Sequence, residues 1–400
     1  MKGISGEFQG CELTAIVGPS GSGKSTLLNI LSGFTTQNVH GSIRVNGEVR
    51  NEEKFKKQST FIMQEENLYL LLTLWETMNY AIKLKTGSHL SSDERSRKIM
   101  SILETLGIEL HVDTLVKNLS GGQQKRLAIA MELVDDPSII FLDEPTTGLD
   151  SSSSFQCVSL LKKLAREGKT IVCTIHQPSA LIFEMFDQLY ALVDGNCIYQ
   201  GTSRNLVSFL ADVDLVCPET YNPADFLLEI ATDGYGPINH RLQEKIENGL
   251  NHSYRATSKS NIEQETIDFS AKTEFSSTFL NQVVQLTSRN MLFNFRDKSY
   301  MLMRIIVHCY IGILVGLMYY KIGNQARQMI NIYKSFLVLV VVLMYTSLYS
   351  LLVRCELIEG WPYDLNLLES FSSTRASNHP TRTFQSMVLD GRSLLSFSDL

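Results

Sequence analysis

Short apolar, β-branched runs alternate with helical stretches from residue 1 to about residue 230. The runs LTAIV, SIIFL and TIVCT have the length and composition of buried strands. Helical stretches such as KSTLLNILSGF and FQCVSLLKKLAREG follow the first two runs. Strands that feed helices in this order are typical of a largely parallel sheet covered by helices. The pattern therefore predicts an α/β domain over residues 1–230.

The chain changes character after this domain. Residues 231–272 are mostly polar and charged, which predicts a linker with one short helix around HRLQEKIENGL. Residues 273–298 place apolar side chains at helical spacing, which predicts an amphipathic helix that lies on a membrane surface or against another domain. Residues 354–400 are Ser-rich and polar, and they contain no apolar run long enough to cross a bilayer.

Two apolar runs stand between the amphipathic helix and the polar tail, at residues 300–320 and 335–353. Each approaches the roughly 20 residues that a helix needs to cross a bilayer. The alternative is a buried helical hairpin of a soluble domain. We favour membrane insertion, because the runs are joined by a short segment and preceded by an amphipathic helix. We expect a partial transmembrane domain over residues 299–353.

Charge and cysteine spacing narrow the class of protein. The formal net charge is −6, so a broad basic surface is not expected and nucleic acid is not expected as a partner. Seven cysteines are widely spaced, without a C-x-x-C pair or clustered histidines. This spacing indicates neither a disulfide framework nor a zinc site. No apolar region of signal-peptide length stands at the N-terminus, and a reducing compartment fits best.

The segment GPSGSGKST at residues 18–26 has the spacing G-x-x-x-x-G-K-[ST], directly after a predicted strand and at the start of a helix. Its glycines let backbone N–H groups face a β-phosphate, and the helix N-terminus adds its positive end. Lys24 is expected to neutralise phosphate oxygens, and Ser25 to reach Mg²⁺. The alternative is a glycine-rich turn. The predicted nucleotide-binding residues here are Gly18, Ser20, Gly21, Ser22, Gly23, Lys24, Ser25 and Thr26.

Two acids end the apolar strand in SIIFLDEPTTGLD. Asp143 is placed to hold Mg²⁺, often through water, and Glu144 to polarise the water that attacks a γ-phosphate. An isolated Asp-Glu pair at a strand end would more often be a helix cap or a loop charge. The phosphate loop in the same chain makes the catalytic interpretation the better one.

Two further polar residues follow apolar strands. His176 in TIVCTIHQPS would touch the γ-phosphate and distinguish ATP from ADP. Gln64 in FIMQEEN would reach the Mg²⁺ shell and move with the residues that follow it. Each residue on its own would more often have a structural role, so both predictions depend on the rest of the set.

The segment NLSGGQQKR contains a second predicted phosphate-binding site. Ser120 occupies a helix N-cap position, Gly121 and Gly122 let the backbone approach an anion, and the helix behind them supplies a dipole. The alternative is an ordinary capped helix. This segment alone does not explain why one chain carries two such devices.

The order of these segments resembles the nucleotide-binding domain of ABC transporters. Three segments are similar in sequence to the G, or White, subfamily of half-transporters, whose nucleotide-binding domain precedes six membrane helices. These segments are TIHQPS, NPADFLLE and FRDKSYMLMRIIVHCYIGILVGLMYYKIGNQA. The resemblance covers residues 2 to about 353. It assigns Walker A to 18–26, the Q-loop to Gln64, the signature to 119–123, Walker B to 139–144, the D-loop to 148–150 and the His-loop to His176.

The resemblance implies a fold, ligands and a dimeric arrangement. The fold is an α/β P-loop NTPase followed by an α-helical transmembrane segment of two spans, with ATP and Mg²⁺ as ligands. Two such chains, identical or different, would sandwich two ATP molecules head to tail. The implied catalytic residues are Glu144, His176 and Gln64; the implied Mg²⁺ ligands are Ser25, Gln64 and Asp143; the residues implied to meet nucleotide across the dimer are Ser120, Gly121, Gly122, Gln123 and Asp150.

The implied activity is ATP hydrolysis by a cytosolic domain of a multi-pass membrane protein. Hydrolysis would drive export of a small hydrophobic substrate, such as a lipid, sterol, pigment precursor or xenobiotic, across the lipid bilayer. The helix at 273–298 would be the connecting helix that presses on the nucleotide-binding domain near the Q-loop. A soluble ABC ATPase that works on ribosomes or DNA would need no spans, and residues 300–353 argue against that class.

Two departures from the family leave a second interpretation open. The chain begins only 17 residues before Gly18, so the first strands, and any aromatic residue that stacks on adenine, would lie upstream. After Val353 the tail lacks the family's usual stretches and its four further spans. Such a chain would be a truncated form that binds ATP and pairs without transporting, or a gene-model fragment.

Overall fold

A computed structural model describes most of the predicted α/β domain and parts of the remainder. The described residues are 3–37, 39–86, 90–218, 220–232, 238–255, 278–318, 333–334, 336–341, 344 and 395–398. They belong to two compact units. The first comprises Met1–Gln285 with Val388–Leu400, and the second comprises Leu286–Met387.

The strands and helices follow the predicted alternation. The strands are β1 (Gly6–Phe8), β2 (Leu13–Val17), β3 (Ser42–Val45), β4 (Glu48–Val49), β5 (Ser59–Ile62), β6 (Ile139–Leu142), β7 (Thr170–Thr174), β8 (Gln188–Val193), β9 (Asn196–Gly201) and β10 (Leu395–Ser398). The helices are α1 (Lys24–Ser32), α2 (Glu52–Gln58), α3 (Leu74–Thr86), α4 (Ser92–Leu106), α5 (Gly121–Leu133), α6 (Ser151–Arg166), α7 (Ala180–Phe183), α8 (Leu206–Ala211), α9 (Pro223–Ala231), α10 (Asn239–Ile246), α11 (Phe279–Arg296) and α12 (Lys298–Met318).

The core of the first unit is a six-stranded sheet in the order β5-β6-β7-β2-β8-β9. Neighbouring strands from β5 to β8 are parallel, and β9 pairs with β8 in the antiparallel direction. Every residue of β2, β6, β7 and β8 is buried. A parallel sheet covered on both faces has no solvent side, which explains why these strands are almost continuously apolar. The predicted α/β class is confirmed over these residues.

The carboxyl ends of four parallel strands lie at one edge of this sheet. The strand β2 leads into the phosphate loop, and β5 leads towards Gln64. The strand β6 ends directly before Asp143 and Glu144, and β7 ends two residues before His176. Open parallel sheets bind ligands outside the carboxyl ends of their strands. The topology therefore brings the predicted catalytic residues to a common edge.

Helices α3, α4 and α5 pack against one another beside the sheet. Their buried side chains include Met78 on α3, Leu103 on α4 and Leu127 on α5. The helix α4 begins with a capping box, in which Ser91 Oγ accepts from the Glu94 N–H and the Glu94 carboxylate accepts from the Ser91 N–H. Because α5 also contacts β5 and α6, it connects this helical layer to the main sheet.

A smaller antiparallel sheet has the order β1-β10-β3-β4. It is attached to the main sheet through β1: the Phe8 ring lies 5.9 Å from the Tyr190 ring on β8, and the Tyr190 hydroxyl donates to the Ser5 carbonyl at 2.7 Å. The strand β10 comes from the predicted polar tail at 354–400, of which the structure describes only 395–398. Four residues of the predicted polar tail are thus a strand of this sheet.

The segment predicted as a linker, 231–272, differs from that expectation where it is described. The helix α10 overlaps the segment HRLQEKIENGL, where one short helix is expected. Leu242 and Ile246, four residues apart, are both buried, and α10 packs against β9. Tyr254 also meets the Phe209 ring edge-on. This part of the segment is therefore packed onto the domain, because its few apolar residues share one helical face.

Helices α11 and α12 occupy the region predicted to approach and enter a membrane. The helix α11 covers most of the amphipathic segment 273–298. Asp297 precedes α12, and its carboxylate accepts from the Tyr300 N–H at 3.1 Å. Among the residues that the structure describes, no helix combines the length and the apolar character that a bilayer span requires. The two spans at 300–320 and 335–353 stay predictions, and most of the second lies outside the described residues.

Candidate functional site

The phosphate loop is a tight turn between β2 and α1. A Cβ atom at Gly18 would lie 2.2 Å from the Leu192 carbonyl oxygen, so β8 leaves no space for a side chain there. Gly23 has a φ of 101° and precedes α1, whose first N–H groups are available to an anion. Ser22 is 2% exposed, and its hydroxyl has no hydrogen-bond partner among the described residues. A phosphate oxygen would satisfy this buried hydroxyl.

Lys24 lies over the loop rather than in solvent. It is 6% exposed, and its Nζ donates to the carbonyls of Gly18 and Pro19 at 2.9 and 3.0 Å. Burial lowers the pKa of Lys24, whereas the carboxylates of Glu144 and Asp143 act in the opposite direction. A buried cation beside helix N–H groups fits a polyphosphate ligand.

Asp143 accepts from two hydroxyls. Ser25 Oγ donates to Asp143 Oδ1 at 3.0 Å, and Thr174 Oγ1 donates to the same oxygen at 2.5 Å. Thr174 Oγ1 also accepts from the Glu144 N–H at 2.8 Å. Oxygen ligands of this kind are the ones that Mg²⁺ prefers, so Ser25 and Asp143 fit the predicted ion. Sequence reasoning missed Thr174, whose only signal is a hydroxyl at the end of the buried strand TIVCT.

Glu144 is held in one orientation by two donors. Gln64 Nε2 donates to Glu144 Oε2 at 3.1 Å, and Thr147 Oγ1 donates to the same oxygen at 2.9 Å. The φ of Glu144 is 45°, in a region that residues other than glycine rarely adopt and that is often found at functional sites. His176 Nε2 lies 3.1 Å from Ser20 Oγ. The structure therefore joins Gln64 to Glu144 and His176 to the phosphate loop.

The signature segment caps its own helix. Ser120 Oγ accepts from the Gln123 N–H at 3.3 Å, and Gln123 Oε1 accepts from the Ser120 N–H at 2.9 Å. Ser120 and Gly121 are exposed. Among the described residues, no hydrogen bond or ion pair joins residues 120–123 to the phosphate loop at 18–26. The structure thus gathers the Walker residues with Gln64 and His176 and leaves the signature separate.

Asp150 of the D-loop caps the neighbouring helix α6. Its carboxylate accepts from the N–H groups of Ser152 and Ser153, each at 3.1 Å, and hydrogen bonds from Ser153 lower the pKa of Asp150. A Cβ atom at Gly122 would lie 3.0 Å from the Ser153 Cβ, so α5 and α6 approach closely at their N-termini. Asp150 is exposed, as Ser120 is. The signature and the D-loop therefore lie side by side at two capped helix ends.

Lys125 connects the signature helix to the Q-loop. It is 2% exposed, and its Nζ lies 3.0 Å from Glu66 Oε1. It also donates to the carbonyls of Gln64 at 3.0 Å and Met63 at 3.4 Å. Sequence reasoning missed this residue, which is the first of two adjacent cations before the apolar run of QQKRLAIAMELV. The backbone of the Q-loop is thereby bound to α5.

Replacing Lys125 with methionine would keep most of the side-chain volume but leave the Glu66 carboxylate and two carbonyls without their buried donor. We expect the free energy of unfolding to fall by about 3 kcal/mol, measured by urea denaturation. The matched control is Lys117→Met, at an exposed position just before the signature, with an expected change below about 0.5 kcal/mol. Similar losses in the two variants would contradict the proposed anchoring.

Two family models match the chain. Residues 1–147 match the family described as ABC transporter. Residues 176–248 match the family described as ABC-2 type transporter. The first match contains the phosphate loop, Gln64, the signature and both strand-end acids, and the second begins at His176.

Two relatives and one solved structure resemble parts of the chain. The chain is 40% identical to ABC transporter G family member 1 of Dictyostelium discoideum over 234 residues, covering 57% of this chain and 30% of that protein. It is 30% identical to ABC transporter G family member 11 of Arabidopsis thaliana over 361 residues, covering 81% of this chain and 51% of that protein. A solved ATP-binding cassette of an ABC transporter, in its ADP conformation, is 23% identical with a TM-score of 0.43, over 52% of this chain and 95% of that chain.

The chain spans between 30% and 51% of the length of these two relatives. The residues of the first match, 1–147, include Walker A, Gln64, the signature and Walker B in the order that the resemblance implies. The predicted relationship is therefore confirmed. By both family models the chain is similar to ABC transporters and, by its relatives, to the G family of ABC transporters.

Proposed function

We propose that this chain is the ATP-binding and ATP-hydrolysing part of a dimeric exporter of the G type. The observation that carries the proposal is the separation of its two phosphate-binding devices. The phosphate loop contacts His176 and the Walker B acid Asp143, whereas the signature is an exposed helix end without bonds to that cluster among the described residues. One chain therefore contributes its phosphate loop to one ATP site and its signature to another, and two chains that face each other would complete both sites.

Lys24 and the N-terminus of α1 supply the positive charge for the β- and γ-phosphates. Ser25 and Asp143, with Gln64 beside them, would hold Mg²⁺, which neutralises charge on the phosphate oxygens. All three side chains offer oxygen, the ligand type suited to this ion. The Ser22 hydroxyl, which has no hydrogen-bond partner among the described residues, would donate to a phosphate oxygen. The Lys24 ammonium would turn from the Gly18 and Pro19 carbonyls to phosphate oxygens.

Glu144 is the general base of the proposed reaction. Its Oε2 is oriented by Gln64 and Thr147, and its carboxylate would orient the attacking water and accept a proton from it. His176 approaches the loop at Ser20, where an imidazole N–H would stabilise charge on the γ-phosphate. The signature residues Ser120, Gly121, Gly122 and Gln123, together with Asp150, would meet the same phosphate from a second chain.

The Q-loop is the proposed route from hydrolysis to transport. Gln64 contacts Glu144 with its side chain and Lys125 with its carbonyl. On the neighbouring helix α3, the Lys83 carbonyl accepts from Asn281 of α11 at 3.5 Å. This contact supports the role proposed for α11 as the connecting helix. Closure of two nucleotide-binding domains around ATP would then move membrane helices and export a small hydrophobic substrate.

Replacing Glu144 with glutamine would remove the proton acceptor and keep the side-chain shape. We expect kcat for ATP hydrolysis to fall by at least about 100-fold, measured by phosphate release, while binding of a fluorescent ATP analogue persists. The matched control is Glu184→Gln, at an exposed acid, which should keep the parental kcat. Unchanged turnover in Glu144→Gln would exclude this carboxylate as the base.

Replacing Thr174 with valine would remove the hydroxyl that joins Asp143 to the Glu144 backbone. We expect kcat to fall by about tenfold, equivalent to about 1.4 kcal/mol, and the Mg²⁺ concentration for half-maximal activity to rise. Thr170→Val is the matched control, because Thr170 lies at the other end of the same strand and its hydroxyl accepts from the Cys11 N–H at 3.3 Å rather than from a residue of the site. A loss of the same size in both variants would indicate a general effect on β7.

Mixing two inactive variants tests whether the sites are composite. Lys24→Ala damages the phosphate loop, and Ser120→Arg damages the signature. In a mixed dimer, one composite site carries both changes and the other carries neither, so random pairing restores up to about a quarter of the intact sites. We expect ATPase activity to return on co-expression, and two copies of one variant to stay inactive. No recovery in isolated mixed dimers would contradict pairing in trans.

A further inference from the structure

The side chain of Gln123 has two partners at the start of α5. Its Oε1 accepts from the Ser120 N–H at 2.9 Å, as part of the capping box, and its Nε2 lies 2.8 Å from His111 Nε2. His111 ends a short 3₁₀ turn that follows α4. The signature is therefore in direct contact with a histidine that comes from another segment of the helical layer.

The capping box determines which end of the Gln123 carboxamide faces His111. A reversed carboxamide would place the Nε2 donor against the Ser120 N–H, which is also a donor. With Oε1 on the Ser120 side, the Gln123 amide group donates to His111 Nε2. A ring nitrogen accepts a hydrogen bond only in neutral imidazole, and here in the tautomer whose proton is on Nδ1. The observed contact therefore requires an uncharged His111.

Protonation of His111 would reverse this arrangement. Both ring nitrogens of an imidazolium are donors, so His111 Nε2–H and the Ser120 N–H would compete for the same carboxamide oxygen. A charge-assisted hydrogen bond is about twice as strong as a neutral one, so the oxygen would turn to the imidazolium. The Ser120 N–H would then lose its partner in the capping box.

The capping box also determines how Ser120 presents its hydroxyl. Ser120 Oγ accepts from the Gln123 N–H at 3.3 Å, which leaves the hydroxyl proton available to a phosphate oxygen. Ser120 is exposed, whereas His111 and Gln123 are half-buried. A residue that supports Gln123 can therefore affect Ser120 without touching the ligand.

The backbone of His111 is held on both sides of the ring. The His111 N–H donates to the Ile108 carbonyl at 3.1 Å, and the His111 carbonyl accepts from the Thr114 N–H at 2.9 Å. Because the turn is fixed in this way, a change in the charge of the ring has to be accommodated by the side chain that it contacts, which is Gln123.

No ion pair holds the ring in its protonated form among the residues that the structure describes. The adjoining elements carry seven charged groups: Glu76 on α3, Glu104 on α4, Glu109 on the same turn, Asp113 and Lys117 after it, and Lys125 and Arg126 on α5. Lys125 is bound to Glu66, and Arg126 Nη1 donates to the carbonyls of Leu106 and Gly107 at 3.4 and 3.5 Å. The two cations on α5 are thus directed to partners other than His111.

We propose that His111 is a positioning residue for the signature: its neutral ring holds Gln123 against Ser120, and its protonation withdraws Gln123 and lowers ATP hydrolysis. The inference rests on the proposed function, because Ser120 acts there on ATP held by a second chain. Imidazole side chains change charge between pH 5 and 8. The signature is thereby sensitive to mild acidity through a residue that does not touch ATP.

The pH profile of ATP hydrolysis tests the proposal in the full chain. His111→Gln places a carboxamide oxygen near the position of Nε2, and this acceptor does not take up a proton in the tested range. We expect its kcat to match the parental kcat at pH 8 and to exceed it by at least about threefold at pH 5.5. His176 is a second imidazole at the site, so each variant is compared with the parent at the same pH.

Two further variants complete the profile. His111→Leu also lacks a group that takes up a proton, so its ratio of kcat at pH 5.5 to kcat at pH 8 should exceed the parental ratio by at least about threefold. It replaces His111→Gln in the comparison if that variant does not fold. The matched control is His240→Gln, at an exposed histidine of α10, which should keep the parental profile.

Amide hydrogen exchange in residues 119–124 tests the contact without ATP and without a second chain. Comparison of the parent with His111→Gln at one pH cancels the intrinsic pH dependence of exchange. We expect equal exchange at pH 8. At pH 5.5 we expect the Ser120 and Gln123 amides to exchange at least about threefold faster in the parent, because their capping box is lost.

Each outcome decides for or against the proposal. Parallel pH profiles of kcat in the parent and the His111 variants would overturn it, as would equal exchange at pH 5.5. A fall in kcat by the same factor at every pH would indicate a structural role of the ring alone and would also overturn it. If none of the chains hydrolyses ATP, the proposed function fails, and hydrogen exchange still decides whether His111 positions the signature.

Discussion

Parallel pairing of β5, β6, β7 and β2 determines where the candidate catalytic side chains lie. Strands that run in the same direction release their following loops at one edge of the sheet, so the loop, the acids, Gln64 and His176 converge there. Thr174 then joins the end of β7 to both acids after β6. A slip of one residue in any of these strands would displace its functional group by about 3.3 Å, more than a hydrogen bond tolerates.

Both the sheet and the helical layer of the domain position Glu144. The sheet provides Glu144 itself, and the helical layer holds Gln64 through the buried ammonium of Lys125. Because Gln64 binds the acid with its carboxamide and the lysine with its carbonyl, a displacement of α5 acts directly on the base. Contiguous contacts of this kind are the physical requirement for coupling between two sites.

Local motifs were predictable from the sequence because their spacing encodes a local structure. The phosphate loop at 18–26 directly follows β2 and consists of a turn and the start of α1, and a tight glycine turn leaves few other conformations. Thr174 and Lys125 were missed because their partners lie 30 and about 60 residues away in the chain, and no local pattern reports such contacts. The strand at 395–398 was missed for the same reason: four alternating residues are too few to predict a strand until two sheet edges are known to face each other.

Gly122 sets how closely the N-terminal ends of α5 and α6 approach each other. A Cβ atom at this position would lie 3.0 Å from the Ser153 Cβ, so a side chain there would require the N-terminal ends of α5 and α6 to move by a few tenths of an ångström. Those ends carry Ser120 and Asp150, whose side chains cap the two helices. The spacing between the signature and the D-loop is therefore set by a residue that contributes no side chain.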